Sequence, residues 1–187
     1  RGRTGGLGRP DDRDAGRVLD VLADVAVTEV ADLYRSQEAG VELSTDLAAN
    51  APPLEADRSR IRQILNNLLT NAFEALEGVR PAAIAVRTEV GELDGRTGLV
   101  LAVTDNGPGF QREMLGRIFD PYVTSKPRGT GLGLAIVKKI VEDHGGSIEA
   151  ENRPEGGARV RVMLPLRNES KASQGRERRA ELRRERA

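Results

Sequence analysis

Apolar residues recur at Ile61, Leu65, Leu68, Leu69, Ala72 and Leu76, the three-and-four spacing of a helix with one buried face. Asp57 stands just before the run as a good N-cap, so the pattern predicts a helix from Arg58 to about Glu77. A second apolar series, with Val18, Leu22, Val25, Val30 and Leu33, predicts a helix from Ala15 to Arg35. A third runs from Gly131 to His144 and meets Gly145-Gly146, a glycine stop. Elsewhere the chain reads as strands: Val41 to Leu47, Ala82 to Val90, Gly98 to Thr104, Ser147 to Asn152 and Ala158 to Leu164. A polar turn at Leu93 to Thr97 joins two of them, and Glu155-Gly-Gly157 closes a hairpin. Strand runs with three helices imply an α/β fold, a two-layer sandwich in which one helical layer covers one face of a mixed sheet. The stretch Gln111 to Arg128 keeps neither period. It is polar, with Gly and Pro near Lys126, and predicts a mobile lid.

Composition narrows the chemistry. Only 3% of the 187 residues are aromatic, so Leu, Ile, Val and Ala must fill the interior. The absence of cysteine excludes disulfides, thiolate metal sites and a cysteine nucleophile, and suits a reducing, cytoplasmic setting. No apolar run has the length of a membrane span, so no membrane contact is expected of this chain. It begins with Arg and reads as a piece of a longer protein, whose own anchoring stays open. The net charge of zero conceals an asymmetry: the segment 167–187 carries eight Lys or Arg against four Glu, leaving the rest negative. That tail lacks an apolar stripe and is expected to be a solvated, disordered extension, with no nucleic-acid role. Residues 1–14, rich in glycine, read as a flexible lead-in to a domain at 15–166.

Three short segments carry candidate chemistry. In Gly129-Thr-Gly-Leu-Gly-Leu134 three alternate glycines enter a helix, where backbone can approach a phosphate and unpaired N–H groups can bind it. The spacing fits neither the dinucleotide fingerprint nor a P-loop. In Asp105-Asn-Gly-Pro-Gly-Phe110 a carboxylate leaves a strand into a tight turn. A buried Asp there can accept a hydrogen bond from an exocyclic amine, and Gly107 and Gly109 let a flat ring lie close. An ordinary turn is the plain alternative. Asn67 and Asn71 lie one helical turn apart beside the apolar stripe, and their amide oxygens can complete the oxygen shell of Mg²⁺. A polar edge on a surface helix would look the same.

In order and interval, Asn67-Leu-Leu-Thr-Asn71-Ala72, Asp105-Asn-Gly-Pro-Gly109 and Gly129-Thr-Gly-Leu-Gly133-Leu134 resemble the N, G1 and G2 boxes of the ATP-binding domain of sensor histidine kinases. Ile118-Phe-Asp-Pro-Tyr122 resembles the F box. The resemblance covers residues 40–166, and the wording around Phe119 to Lys126 and Glu142 to Gly146 is most similar to the nitrogen-regulation branch of the NtrB and NtrY type.

The resemblance implies a Bergerat-type ATP site. Asn71, with Asn67 beside it, would hold Mg²⁺ and serve catalysis by positioning. Asp105, Gly107 and Gly109 would take adenine, and Thr130, Gly131, Leu132, Gly133 and Leu134 the phosphates. Lys126 and Arg128 would reach the triphosphate from the lid, and Phe119 would pack the lid down. The partners implied are a histidine-bearing dimerisation domain and a cognate response regulator. Many family members carry a cation two residues after the Asn-Ala pair, and this chain has Glu74 there. The only histidine, His144, ends a helix, so the phosphoacceptor is expected elsewhere. Two other readings keep the fold: a nucleotide-sensing module without catalysis, and a hydrolysing ATPase of the gyrase, Hsp90 and MutL type. The last usually places a general-base Glu where this chain has Asn67, and an amide cannot take a proton from water.

Overall fold

The computed structural model describes residues 19–21, 23–37, 40–48, 54–93, 96–126 and 129–166. The elements in chain order are β1 (Leu19–Val21), α1 (Ala23–Gln37), β2 (Val41–Asp46), β3 (Leu54–Ala56), α2 (Arg58–Ala75), β4 (Ala82–Leu93), β5 (Arg96–Asp105), α3 (Gly133–Asp143), β6 (Ser147–Asn152) and β7 (Ala158–Pro165). Five strands form one sheet in the order β2-β4-β5-β7-β6, with β2 parallel to β4 and the other neighbours antiparallel. The expected α/β architecture is therefore present: α1, α2 and α3 pack on a single mixed sheet.

Alternation along the strands decides which face is covered. In β4, Ile84, Val86 and Thr88 are buried while Ala85, Arg87 and Glu89 are exposed. In β7, Val160, Val162 and Leu164 point inward and Arg161 outward. The strands thus lay one apolar face against the helices and leave the other to solvent. From α2, Ile61, Ile64, Leu65, Leu68, Leu69 and Ala72 fill that core. Each fully buried aliphatic side chain contributes roughly 1.5–3 kcal/mol relative to exposure. Asp57 caps α2 by accepting the Ser59 N–H at 2.8 Å. Tyr34 of α1 stacks on Phe73 of α2 with ring centroids 5.2 Å apart.

Two helix starts differ from the sequence expectation. Helix α1 begins at Ala23, because Leu19–Val21 pairs antiparallel with Leu54–Ala56 as a two-stranded ribbon. The stripe that α1 buries is Ala26, Val27, Val30 and Ala31, and Val25 and Leu33 face outward. Helix α3 begins at Gly133 and not at Gly131, whose φ of 66° is incompatible with a right-handed helix. Residues 1–14 and 167–187, read above as flexible ends, lie outside the described residues, as do residues 15–18.

Candidate functional site

Between α2, α3 and the C-terminal end of β5 lies a cavity of about 750 Å³, bordered on its outer side by residues from 111–126 and 129–131. Its volume suits a drug-sized or nucleotide-sized ligand. The polar groups in its wall come from all three of the segments singled out in the sequence.

From α2 come Asn67, Asn71 and Glu74, which successive helical turns place on one edge of the apolar stripe. The Asn67 Nδ2 donates to the Gln63 carbonyl at 2.8 Å, which fixes the amide and turns its Oδ1 toward α3. A Cβ on Gly133 would lie 3.1 Å from that Oδ1 and 3.6 Å from the Asn71 Nδ2, so a side chain there would crowd both amides. Two neutral amide oxygens are a hard but uncharged donor set. They fit Mg²⁺ that is held chiefly by phosphate and water. Among the described residues no cluster of three or more His, Cys, Asp or Glu could hold a metal by itself.

Asp105 ends β5 and is only 7% exposed. Its Oδ1 accepts the Gly107 N–H at 2.9 Å and the Ala158 N–H at 3.3 Å. The Oδ2 has no hydrogen-bond partner among the described residues, and the carboxylate borders the cavity. Burial raises the carboxyl above the usual Asp range, opposed by those two amides and by the charges of Arg153 and Lys126. Gly107 itself stands outside the cavity wall and serves the turn through that amide, whereas Gly109 and Phe110 belong to the wall. The turn is tied down by two asparagines. Asn106 accepts the Ala83 N–H and donates to the Pro81 carbonyl, each at 2.8 Å. Asn152, from β6, accepts the Phe110 N–H and donates to the Phe110 carbonyl, each at 2.7 Å.

The opposite end of the cavity is the start of α3. No side chain caps it, and Leu132, Gly133 and Leu134 line the cavity with Thr130 and Gly131. Uncapped first-turn amides at the positive end of a helix dipole suit an anion. Gly131 accepts the Tyr122 N–H at 2.9 Å, and a Cβ on it would sit 2.6 Å from the Tyr122 carbonyl carbon. Only glycine allows the segment before α3 to press so closely on its own root. Among the described residues of this outer segment the one regular element is a 3₁₀ turn at Leu115–Arg117.

Lys126 lines the cavity and is ion-paired with Glu74. This lysine of the outer segment thus rests on the anion that the sequence placed unexpectedly in α2. Phe119 stands outside the cavity wall, and the neighbouring Ile118, only 5% exposed, lines it in company with Phe110. The backbone leaves the 3₁₀ turn with Ile118 still in right-handed helical geometry. Arg128 lies outside the described residues. Sequence reasoning missed Asn106, Asn152 and the Glu74–Lys126 pair, since their partners are 23 to 52 residues distant. His144 caps α3, its Nδ1 lying 2.7 Å from the Ile140 carbonyl oxygen, and takes no part in the cavity.

Comparison with known proteins bears on the same region. The sequence pattern of the family described as histidine kinase-, DNA gyrase B-, and HSP90-like ATPase matches residues 56–168. Nitrogen regulation protein NtrY of Azorhizobium caulinodans is 45% identical over 117 residues, which are 61% of this chain and 15% of that protein. Among solved structures, full-length ShkA in complex with AMPPNP superposes with a TM-score of 0.66 at 28% identity, covering 82% of this chain and 33% of that one. Histidine kinase ThkA in complex with the response regulator TrrA superposes at 0.63 with 30% identity, covering 77% of this chain and 40% of that one. The chain therefore spans a small part of the relatives it matches. No helix among the described residues is long and apolar enough to cross a membrane.

Proposed function

We propose that this chain, which belongs to the histidine kinase-, DNA gyrase B-, and HSP90-like ATPase family, positions the γ-phosphoryl of ATP for transfer to a histidine on a separate dimerisation domain of its parent protein. It is an ATP-binding catalytic domain of the sensor histidine kinase kind. The observation that carries the proposal is the cavity itself, which has a buried carboxylate with one free oxygen at one end and an uncapped helix start at the other.

In this reading Asp105 accepts a hydrogen bond from the adenine amine through Oδ2, while Gly109 and Phe110 offer a flat surface to the ring. The amides of Gly131, Leu132, Gly133 and Leu134 hold phosphate oxygens, with the Thr130 hydroxyl beside them. Asn71 and Asn67 would hold Mg²⁺, which when bound offsets phosphate charge. Lys126, leaving Glu74, would add a cation at the triphosphate, and Arg128 a second. Phe119 would keep the lid against the body from outside the cavity. The chain's only histidine, His144, is engaged as a helix cap outside the cavity, so a histidine acceptor would be brought by another domain. A response regulator would then take the phosphoryl, as the ThkA neighbour's complex with its regulator suggests by likeness.

The test is transfer. The chain is mixed with γ-labelled ATP, Mg²⁺ and a separately expressed histidine-bearing dimerisation domain of the NtrY kind. Label on that domain's histidine is the expected result. ATP binding without any transfer would leave a nucleotide-sensing module, and phosphate released to water with no acceptor present would favour the hydrolysing ATPase.

A further inference from the structure

We infer that Asn152, the last residue of β6, is a positioning residue for the base end of the cavity. The inference rests on the adenine-nucleotide reading of that cavity. Asn152 stands outside the wall and acts through the peptide that forms it. Its side-chain amide closes a two-bond ring with Phe110, accepting the N–H on Oδ1 and donating from Nδ2 to the carbonyl, both at 2.7 Å. This is the pairing that a neighbouring strand would supply, provided by a side chain where Phe110 has left the sheet.

The surroundings fit that role. Gly109 has a φ of 77°, and a Cβ on it would come within 2.7 Å of the Asn152 Oδ1. The amide can close only over a glycine. Asn152 is in register with Ala158, and the Ala158 N–H reaches the Asp105 Oδ1 at 3.3 Å. From the same hairpin, Arg153 Nη1 donates to the Asp105 carbonyl at 3.4 Å, and Gly157 backs that carbonyl so closely that a Cβ would lie 2.0 Å from it. One hairpin therefore holds both ends of the segment Asp105 to Phe110: the carboxylate end through Ala158, Arg153 and Gly157, and the ring-facing end through Asn152. A base laid on Gly109 and Phe110 needs that peptide ordered beforehand, because ordering it on binding would be taken from affinity.

The experiment compares two ligands on the full chain, a non-hydrolysable ATP analogue and inorganic tripolyphosphate, both with Mg²⁺. Asn152→Ala removes both bonds, and Asn152→Asp keeps the acceptor while opposing the Phe110 carbonyl with a carboxylate. The expected result is affinity for the ATP analogue about tenfold weaker in each variant, with tripolyphosphate affinity unchanged and the protein still folded at the titration temperature. If the alanine variant does not fold, the aspartate variant alone carries the comparison. Equal losses for both ligands, or no loss for either, would overturn the inference while leaving the nucleotide site intact. A wild-type chain that fails to bind the ATP analogue would remove the nucleotide reading and this inference together.

Discussion

The two sides of the cavity are built differently. The base side, Asp105 to Phe110, is gripped by six side-chain or carboxylate hydrogen bonds from Asp105, Asn106 and Asn152 over distances of 2.7 to 3.3 Å. The lid side, in its described residues 111–126 and 129–131, holds its place through Ile118, a 3₁₀ turn, the Tyr122 to Gly131 bond and the exposed Lys126–Glu74 pair. Fixed donors and acceptors give selectivity when they are ordered before the ligand arrives, whereas charged groups on a loosely packed segment can follow phosphates of varying position. On the proposed reading of the cavity, base choice belongs to the first side and triphosphate grip to the second.

The largest effect should come from the base side. Gly157 has a φ of 89° and presses on the Asp105 carbonyl, so Gly157→Ala forces strained backbone and an overlap. A loss of stability on the order of 3 kcal/mol is expected in denaturant titration. A variant as stable as the wild type would mean that the hairpin is not a rigid backing.

Next comes Asp105→Asn, expected to weaken adenine-nucleotide binding by about 1–3 kcal/mol in calorimetry. The same change should leave thermal stability near neutral pH unchanged or raised. Burial lifts the Asp105 carboxyl, so the folded state prefers its protonated form, and the stabilising preference present at acid pH is lost as pH rises through the folded value. The amide escapes that loss. Nucleotide affinity runs the other way, because the adenine amine needs the carboxylate: it should fall as pH is lowered through the raised value in the wild type, and stay flat in Asp105→Asn. A loss of stability matching the loss of binding would make Asp105 structural.

The smallest effect concerns the lid. Glu74→Gln frees Lys126 from its pair, and exposed pairs contribute about 0–1 kcal/mol, so tripolyphosphate should bind up to roughly fivefold more tightly with adenosine binding unchanged. A change in adenosine affinity instead would blur the division between the two sides.

Much of this arrangement was legible in the chain. The apolar spacing in α2, its Asp57 cap and the strand alternations are local signals, and they define the layers because burial follows period. The three boxes were legible through glycines and asparagines that helices and strands do not favour. Other features carry no local signal. The ribbon of Leu19–Val21 with Leu54–Ala56 consists of three-residue strands whose residues fit a helix equally well. Ile118 and not Phe119 faces the cavity because an irregular backbone sets the register there, which periodicity does not report. The Asn152 clamp and the Glu74–Lys126 pair join residues 42 and 52 positions apart. Such contacts exist only once the sheet has formed.

The adenine-nucleotide site is tested by calorimetric titration of the wild-type chain with a non-hydrolysable ATP analogue, its guanine counterpart and tripolyphosphate, each with and without Mg²⁺. Magnesium-dependent binding of the ATP analogue is expected, with weaker binding of tripolyphosphate and weakest of all the guanine nucleotide, whose carbonyl would meet the Asp105 carboxylate. Equal binding of the two nucleotides, or none by a folded chain, would contradict the adenine-nucleotide site.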